Sequence, residues 1–89
     1  MPEEEIKLRI KELNGWGTDG SRITKTYVFT DFKGAMSFVN KVAEVAERED
    51  HHPDIYISYN KVGIILWTHS VNGLSLNDFI VAAKIDNLS

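Results

Sequence analysis

The stretch from Asp54 to His69 admits few folds. Residues 54–59, which alternate, and 62–69, which open on a near-continuous apolar run, read as two strands with only Asn60-Lys61 between them. A period of two marks β-strands, and a two-residue connection makes successive strands antiparallel. With Asn60-Lys61 as the turn, Tyr59 faces Val62, Ile57 faces Ile64 and Ile55 faces Leu66, so that six apolar or aromatic residues share one side. Tyr59 is therefore expected in the core. The other side holds Asp54, Tyr56, Ser58, Gly63, Ile65 and Trp67, polar overall yet apolar enough for a flat ligand or a subunit contact.

Other segments supply the rest of the sheet and its cover. Residues 22–30 alternate as well, Ile23, Lys25, Tyr27 and Phe29 against Thr24, Thr26 and Val28. A short further strand is expected near Trp16, among Gly15, Gly17 and Gly20. Those glycines do not make a phosphate cradle, because no strand precedes them and no Lys-Ser/Thr pair follows in place. Residues 3–13 read as a helix, with Ile6, Ile10 and Leu13 behind an acidic first turn. From Asp31 the period lengthens, and Phe32, Ala35, Met36, Val39, Val42, Ala43 and Ala46 mark one face of a second helix. It stops near Asp50, since Pro53 drives His52 out of helical backbone. A third helix begins at Ser75, where Ser75 and Asp78 have capping-box spacing, and carries Leu76, Phe79, Ile80 and Ala83 as its apolar side. The order α-β-β-α-β-β-α predicts an α+β fold, a four-stranded antiparallel sheet with helices packed on one face, in a single domain over 1–89.

Charge and composition narrow the partners. The net charge is −3 and the ten Lys and Arg residues are scattered, so no basic footprint for direct nucleic-acid contact or for an anionic membrane is present. The chain has no cysteine, which removes thiolate chemistry, disulfides and Cys-based zinc sites. Met1 to Lys11 is charged and lacks the apolar centre of a signal peptide, and no apolar run approaches the ~20 residues that span a bilayer. A cytoplasmic location is the expectation.

All three histidines fall near one corner. The hairpin register sets His52 opposite His69, with Cβ atoms about 4.5–5.5 Å apart. His51 lies at the exit of the second helix, and Glu47, four residues earlier, is on its side. Asp50, Glu47 and Asp54 are carboxylates able to hold a ring protonated. Singly, each histidine is explained as a surface or capping residue. Three converging imidazoles point instead to proton transfer near neutral pH. Two close rings disfavour double protonation, so a mixed state supplies acid and base together, in a titration that belongs to the cluster. A three-histidine zinc site is the competing reading, opposed by the tendency of neighbours such as His51 and His52 to project to opposite faces of an extended chain.

These residues also form a pattern. Glu47, His51-His52-Pro53, Tyr59, His69 and Asp78 are separated by three, five, nine and eight residues, which resembles the signature of the pterin-4a-carbinolamine dehydratases. Gly15-Trp16, Asp31-Phe32, Ala43 and the run from Thr68-His69 through Gly73-Leu74 fit as well, so the resemblance covers residues 13–86. It implies a lyase that expels the hydroxyl on carbon 4a of a pterin as water, giving quinonoid dihydropterin for tetrahydrobiopterin recycling. The pterin is the substrate, and no metal or other cofactor is implied. The catalytic residues would be His51, His52 and His69. Glu47 and Asp50 would support the histidines or the pterin edge, and Trp16 would help close the pocket. Asp78 belongs to the pattern, though helix capping accounts for it. A homodimer or homotetramer is implied, in line with the apolar run from Val62 to Trp67. The alternative is a non-catalytic pterin- or protein-binding module, as in members that act as dimerisation cofactors of a homeodomain transcription factor.

Overall fold

The computed structural model describes residues 1–88. Its elements are α1 (Glu3–Glu12), β1 (Gly17–Thr18), β2 (Ile23–Val28), α2 (Phe32–Glu49), β3 (Asp54–Ser58), β4 (Lys61–Leu66), a 3-10 turn (His69–Val71) and α3 (Leu76–Asp86). The sheet order is β1-β2-β4-β3, antiparallel throughout. The architecture is thus the expected one, with the expected order of elements.

Alternation decides the faces of β2 and β4. Ile23, Tyr27, Val62, Ile64 and Leu66 are buried under the helices, whereas Thr24, Thr26 and Val28 lie on the open side. Ile6 of α1 and Phe79, Val81, Ala82 and Ile85 of α3 complete the same core. Among the described residues no helix is long and apolar enough to cross a membrane.

α2 starts where the period changes, with the Asp31 carboxylate accepting from the Gly34 N–H at 2.8 Å as its N-cap. Its buried side is rotated from the expected one. Ala35, Phe38, Val42, Val45 and Ala46 are buried, but Phe32 is 49% exposed and Ala43 is exposed. Phe38 decides this, because its ring lies 4.6 Å from that of Tyr27 and 4.9 Å from that of Phe29. Seating that aromatic group turns the helix and lifts Phe32 off the sheet.

The hairpin register also differs from expectation. Ile57 pairs with Val62 and Ile55 with Ile64, a shift of two residues, and the turn is Tyr59-Asn60. A shift of two keeps every side chain on its face, so the apolar side of β4 is unchanged. The cause is Asn60, whose side-chain amide donates to the Phe29 carbonyl at 2.9 Å while its own carbonyl accepts from the Phe29 N–H at 2.8 Å. This clamp fixes the tip of the hairpin to the end of β2 and makes Lys61 a strand residue opposite Val28. Tyr59 is consequently not a core residue. It is 66% exposed, and Ile57, on an edge strand, is 40% exposed.

Tyr59 has φ 52, in the left-handed region. That conformation costs a non-glycine residue about 1–2 kcal/mol, while glycine's added chain freedom costs about 0.5–1 kcal/mol. Tyr59→Gly is expected to stabilise the fold by about 0.5–1 kcal/mol, a rise of roughly 2–8 °C in Tm. A thermal melt checks it; a lower Tm would show that the exposed ring matters more than the relieved backbone.

Candidate functional site

α2 ends on Asp50, which takes a left-handed backbone (φ 49, ψ 43) and donates its N–H to the carbonyls of Ala46 and Glu47. The His51 N–H returns to the Ala46 carbonyl at 3.1 Å. Aspartate tolerates this conformation better than most residues, and it makes a sharp exit from the helix. Pro53 keeps His52 out of helical backbone, so His51 and His52 follow the helix outside any regular element.

The two rings part company there. His51 Nε2 lies 2.5 Å from Asp78 Oδ1, with the His51 side chain 13% exposed and Asp78 fully buried. His52 Nε2 lies 2.5 Å from Glu47 Oε2, both partners well exposed. Glu47 therefore serves His52, not His51 as the helical spacing suggested. Carboxylates accept, so each imidazole N–H at Nε2 is the donor and Nδ1 is the nitrogen left for chemistry.

Asp78 is the centre of the arrangement. Its Oδ2 accepts from the Thr68 hydroxyl at 2.8 Å and from the Ser75 N–H at 3.0 Å. The capping box with Ser75 is formed as the sequence predicts. What the sequence reading missed is that the same carboxylate also grips His51. One buried carboxylate thus ties the exit of α2, the end of β4 and the start of α3 together. Thr68, which shares it, is the neighbour of His69. A signal existed, since Asp78 stands at a fixed distance from His69 in the signature, but capping alone satisfied it.

His69 begins the 3-10 turn and is exposed; its ring centroid is 3.8 Å from that of Trp67. It is not opposite His52. The ladder ends at Asp54–Ile65, and the corrected register continued by two residues sets His52 beside Trp67. Asp54 accepts from the Trp67 indole N–H at 3.3 Å and holds no histidine. The Asp50 carboxylate is exposed and has no hydrogen-bond or ion-pair partner among the described residues. An open groove of about 600 Å³ runs along Ala43, Glu44, Glu47 and Arg48, so Glu47 borders both that space and His52.

Trp16 stands apart. It is 7% exposed and its indole N–H donates to Asp86 Oδ2 at 3.0 Å, where Lys25 Nζ (2.9 Å to Oδ1) and the Tyr27 hydroxyl also converge. Burial, then the hydrogen bond to Asp86 and its charge, push the Tyr27 hydroxyl well above the ordinary tyrosine value of 10.0. Asp86 and Asp78 are two turns apart on α3, about 12 Å along its axis. Trp16 therefore pins the sheet edge to the far end of that helix.

Comparison with known proteins joins this geometry to a lineage. A family model described as pterin 4 alpha carbinolamine dehydratase matches residues 1–88. The chain belongs to the pterin-4a-carbinolamine dehydratase family. Relatives with that name, given provisionally, include one from Nitrosospira multiformis, 48% identical over 88 residues that make up 99% of this chain and 78% of the relative. Another, from Trichormus variabilis, is 47% identical over 89 residues, 100% of this chain and 96% of the relative. Among solved structures, a transcriptional coactivator/pterin dehydratase from Brucella melitensis is 37% identical with a TM-score of 0.93, covering 99% of this chain and 96% of that one. A pterin dehydratase-like RuBisCO assembly factor of the α-carboxysome shares the fold alone, at 20% identity and a TM-score of 0.70 over 84% of this chain and 89% of that one. The same fold thus occurs in proteins described with different roles.

Proposed function

We propose that this member of the dehydratase family dehydrates a 4a-hydroxytetrahydropterin to the quinonoid dihydropterin by histidine acid–base catalysis, serving tetrahydrobiopterin recycling in the cytoplasm as a homodimer or homotetramer. The observation that carries the reading is the shared grip of Asp78 on His51 and on Thr68, next to His69, with His52 held one residue away by Glu47. An oriented imidazole backed by a carboxylate is the arrangement proton transfer requires.

The reaction asks for two proton movements. A base takes the proton from ring nitrogen 5, and an acid protonates the hydroxyl on carbon 4a. The C4a–O bond then breaks, a C4a=N5 double bond forms and water leaves. His51, His52 and His69 supply the acid and the base between them. The exposed pair, His52 and His69, exchanges protons readily with solvent, while buried His51 has its tautomer fixed by Asp78. Glu47 and Asp50 face the pterin edge; Trp16, buried on Asp86, supports the fold. The half-exposed strip of Phe32, Met36 and Val39 along α2 gives an assembly of copies an apolar surface.

Stopped-flow decay of the carbinolamine is expected to be accelerated by the protein in the presence of a chelator. Decay no faster than in buffer would overturn the dehydratase reading. A second reading has support in the Brucella structure, which is described as a coactivator as well as a dehydratase. In that case the pocket binds a pterin or a protein without turnover, and the same assay shows no acceleration.

A further inference from the structure

Trp67 touches a candidate catalytic side chain without belonging to the family signature described above. Its ring centroid is 3.8 Å from that of His69, with the two planes inclined by 35°. The backbone explains the contact. Thr68, between them, is extended (φ −108, ψ 110), so residues 67 and 69 leave the chain on one side and Thr68 on the other, where it meets Asp78.

The indole is itself held by two other elements. Its N–H donates to Asp54 Oδ2 at 3.3 Å across the hairpin, and the Arg22 guanidinium lies 5.0 Å from its ring centroid. Arg22 sits in a turn closed by Asp19, whose carboxylate accepts from the Ser21 and Arg22 N–H groups at 2.9 Å each. The charged and titratable groups around the indole, besides His69, are thus Arg22 ahead of β2, Asp54 on β3 and His52, which the continued register sets beside Trp67. His69, by contrast, is exposed at the start of a three-residue turn and its ring makes no hydrogen bond among the described residues. Without the indole, nothing in its own segment selects one orientation of the ring.

We propose that Trp67 is a positioning residue, an anchored aromatic plate that holds the His69 imidazole in the orientation its proton transfer needs. The proposal rests on the dehydratase reading, and it makes the indole a reporter of His69. A protonated imidazole in contact with an indole quenches its emission. The chain has two tryptophans, Trp16 and Trp67, and Trp16 is buried on Asp86, away from the histidines.

Two measurements on the full chain test it. At fixed pH, tryptophan emission of the wild type is expected to be quenched by the stacked imidazole, and His69→Gln is expected to raise it. In the carbinolamine assay, Trp67→Leu is expected to lower kcat about tenfold with KM changed less than about twofold, and Trp67→Phe to restore most of the rate, because a misplaced catalytic group loses up to ~10²-fold. A wild-type kcat in Trp67→Leu overturns the positioning role. An emission profile identical in wild type and His69→Gln overturns the stack, even if His69→Gln is slow. Wild-type dehydration by His69→Gln removes His69 from the mechanism and this role of Trp67 with it, whether or not emission changes.

Discussion

Asp78→Ala is expected to cost the fold about 3–5 kcal/mol and to disarm the site in the same step. The carboxylate is fully buried and receives the His51 ring, the Thr68 hydroxyl and the Ser75 N–H. Truncation leaves the His51 ring and the Ser75 N–H without their acceptor in a largely buried place, at about 1–3 kcal/mol each before relaxation, while the Thr68 hydroxyl keeps Ser75 Oγ at 2.7 Å. A chain of 89 residues is stable by about 4–13 kcal/mol in total, so the loss is a large fraction of the whole. Asp78→Asn separates folding from chemistry. Its amide keeps the shape and one acceptor oxygen but presents a donor where His51 or Thr68 already donates. The expected cost is about 1–3 kcal/mol, with the fold retained and His51 driven toward the other tautomer. Nitrogen-15 NMR of the imidazole reports that change directly, and kcat is expected to fall by up to about 10⁴-fold, as when a base loses the carboxylate that orients it. Unchanged urea midpoints in both variants would show that the carboxylate holds nothing.

The same residue marks where local reading of the chain ends. The capping box from Ser75 to Asp78 is a contact over three residues and was legible. The bond to His51 spans 27 residues and depends on how α2 and α3 are brought side by side. Likewise the alternation of β2 and β4 fixed their faces, but the turn position was set by Asn60 reaching Phe29, 31 residues back. In α2, apolar residues occupy about half the circumference, so periodicity alone could not choose between Phe32 and Phe38 for the core. The place of His51 and His52 at the exit of α2 was legible, because Pro53 and the helix end limit where they can go. The carboxylate each ring takes was not, since Glu47 lies four residues from His51 and five from His52, and only the left-handed turn at Asp50 decides between them.

His52→Ala is the variant that divides the enzyme from the binding module. His52 and Glu47 are 58% and 77% exposed at their side chains, and an ion pair so open to water contributes at most about 1 kcal/mol. Its loss is expected to leave Tm nearly unchanged, as for most surface substitutions, which stay within about 0.5 kcal/mol. A positioned acid or base, however, contributes about 10²–10⁴-fold to a rate. The expected result is a fully folded protein whose carbinolamine dehydration falls by that factor, and Glu47→Gln, which only frees the ring to turn, is expected to lose less. His51→Ala and His69→Ala are expected to be slow too, but the first strands Asp78 in the interior and the second removes the ring stacked on Trp67, so neither separates chemistry from structure as cleanly. A His52→Ala protein that still binds a pterin and dehydrates at the wild-type rate would remove this ring from the mechanism. A second full-rate variant at His51 or His69 would remove the mechanism altogether and leave the binding-module reading in its place.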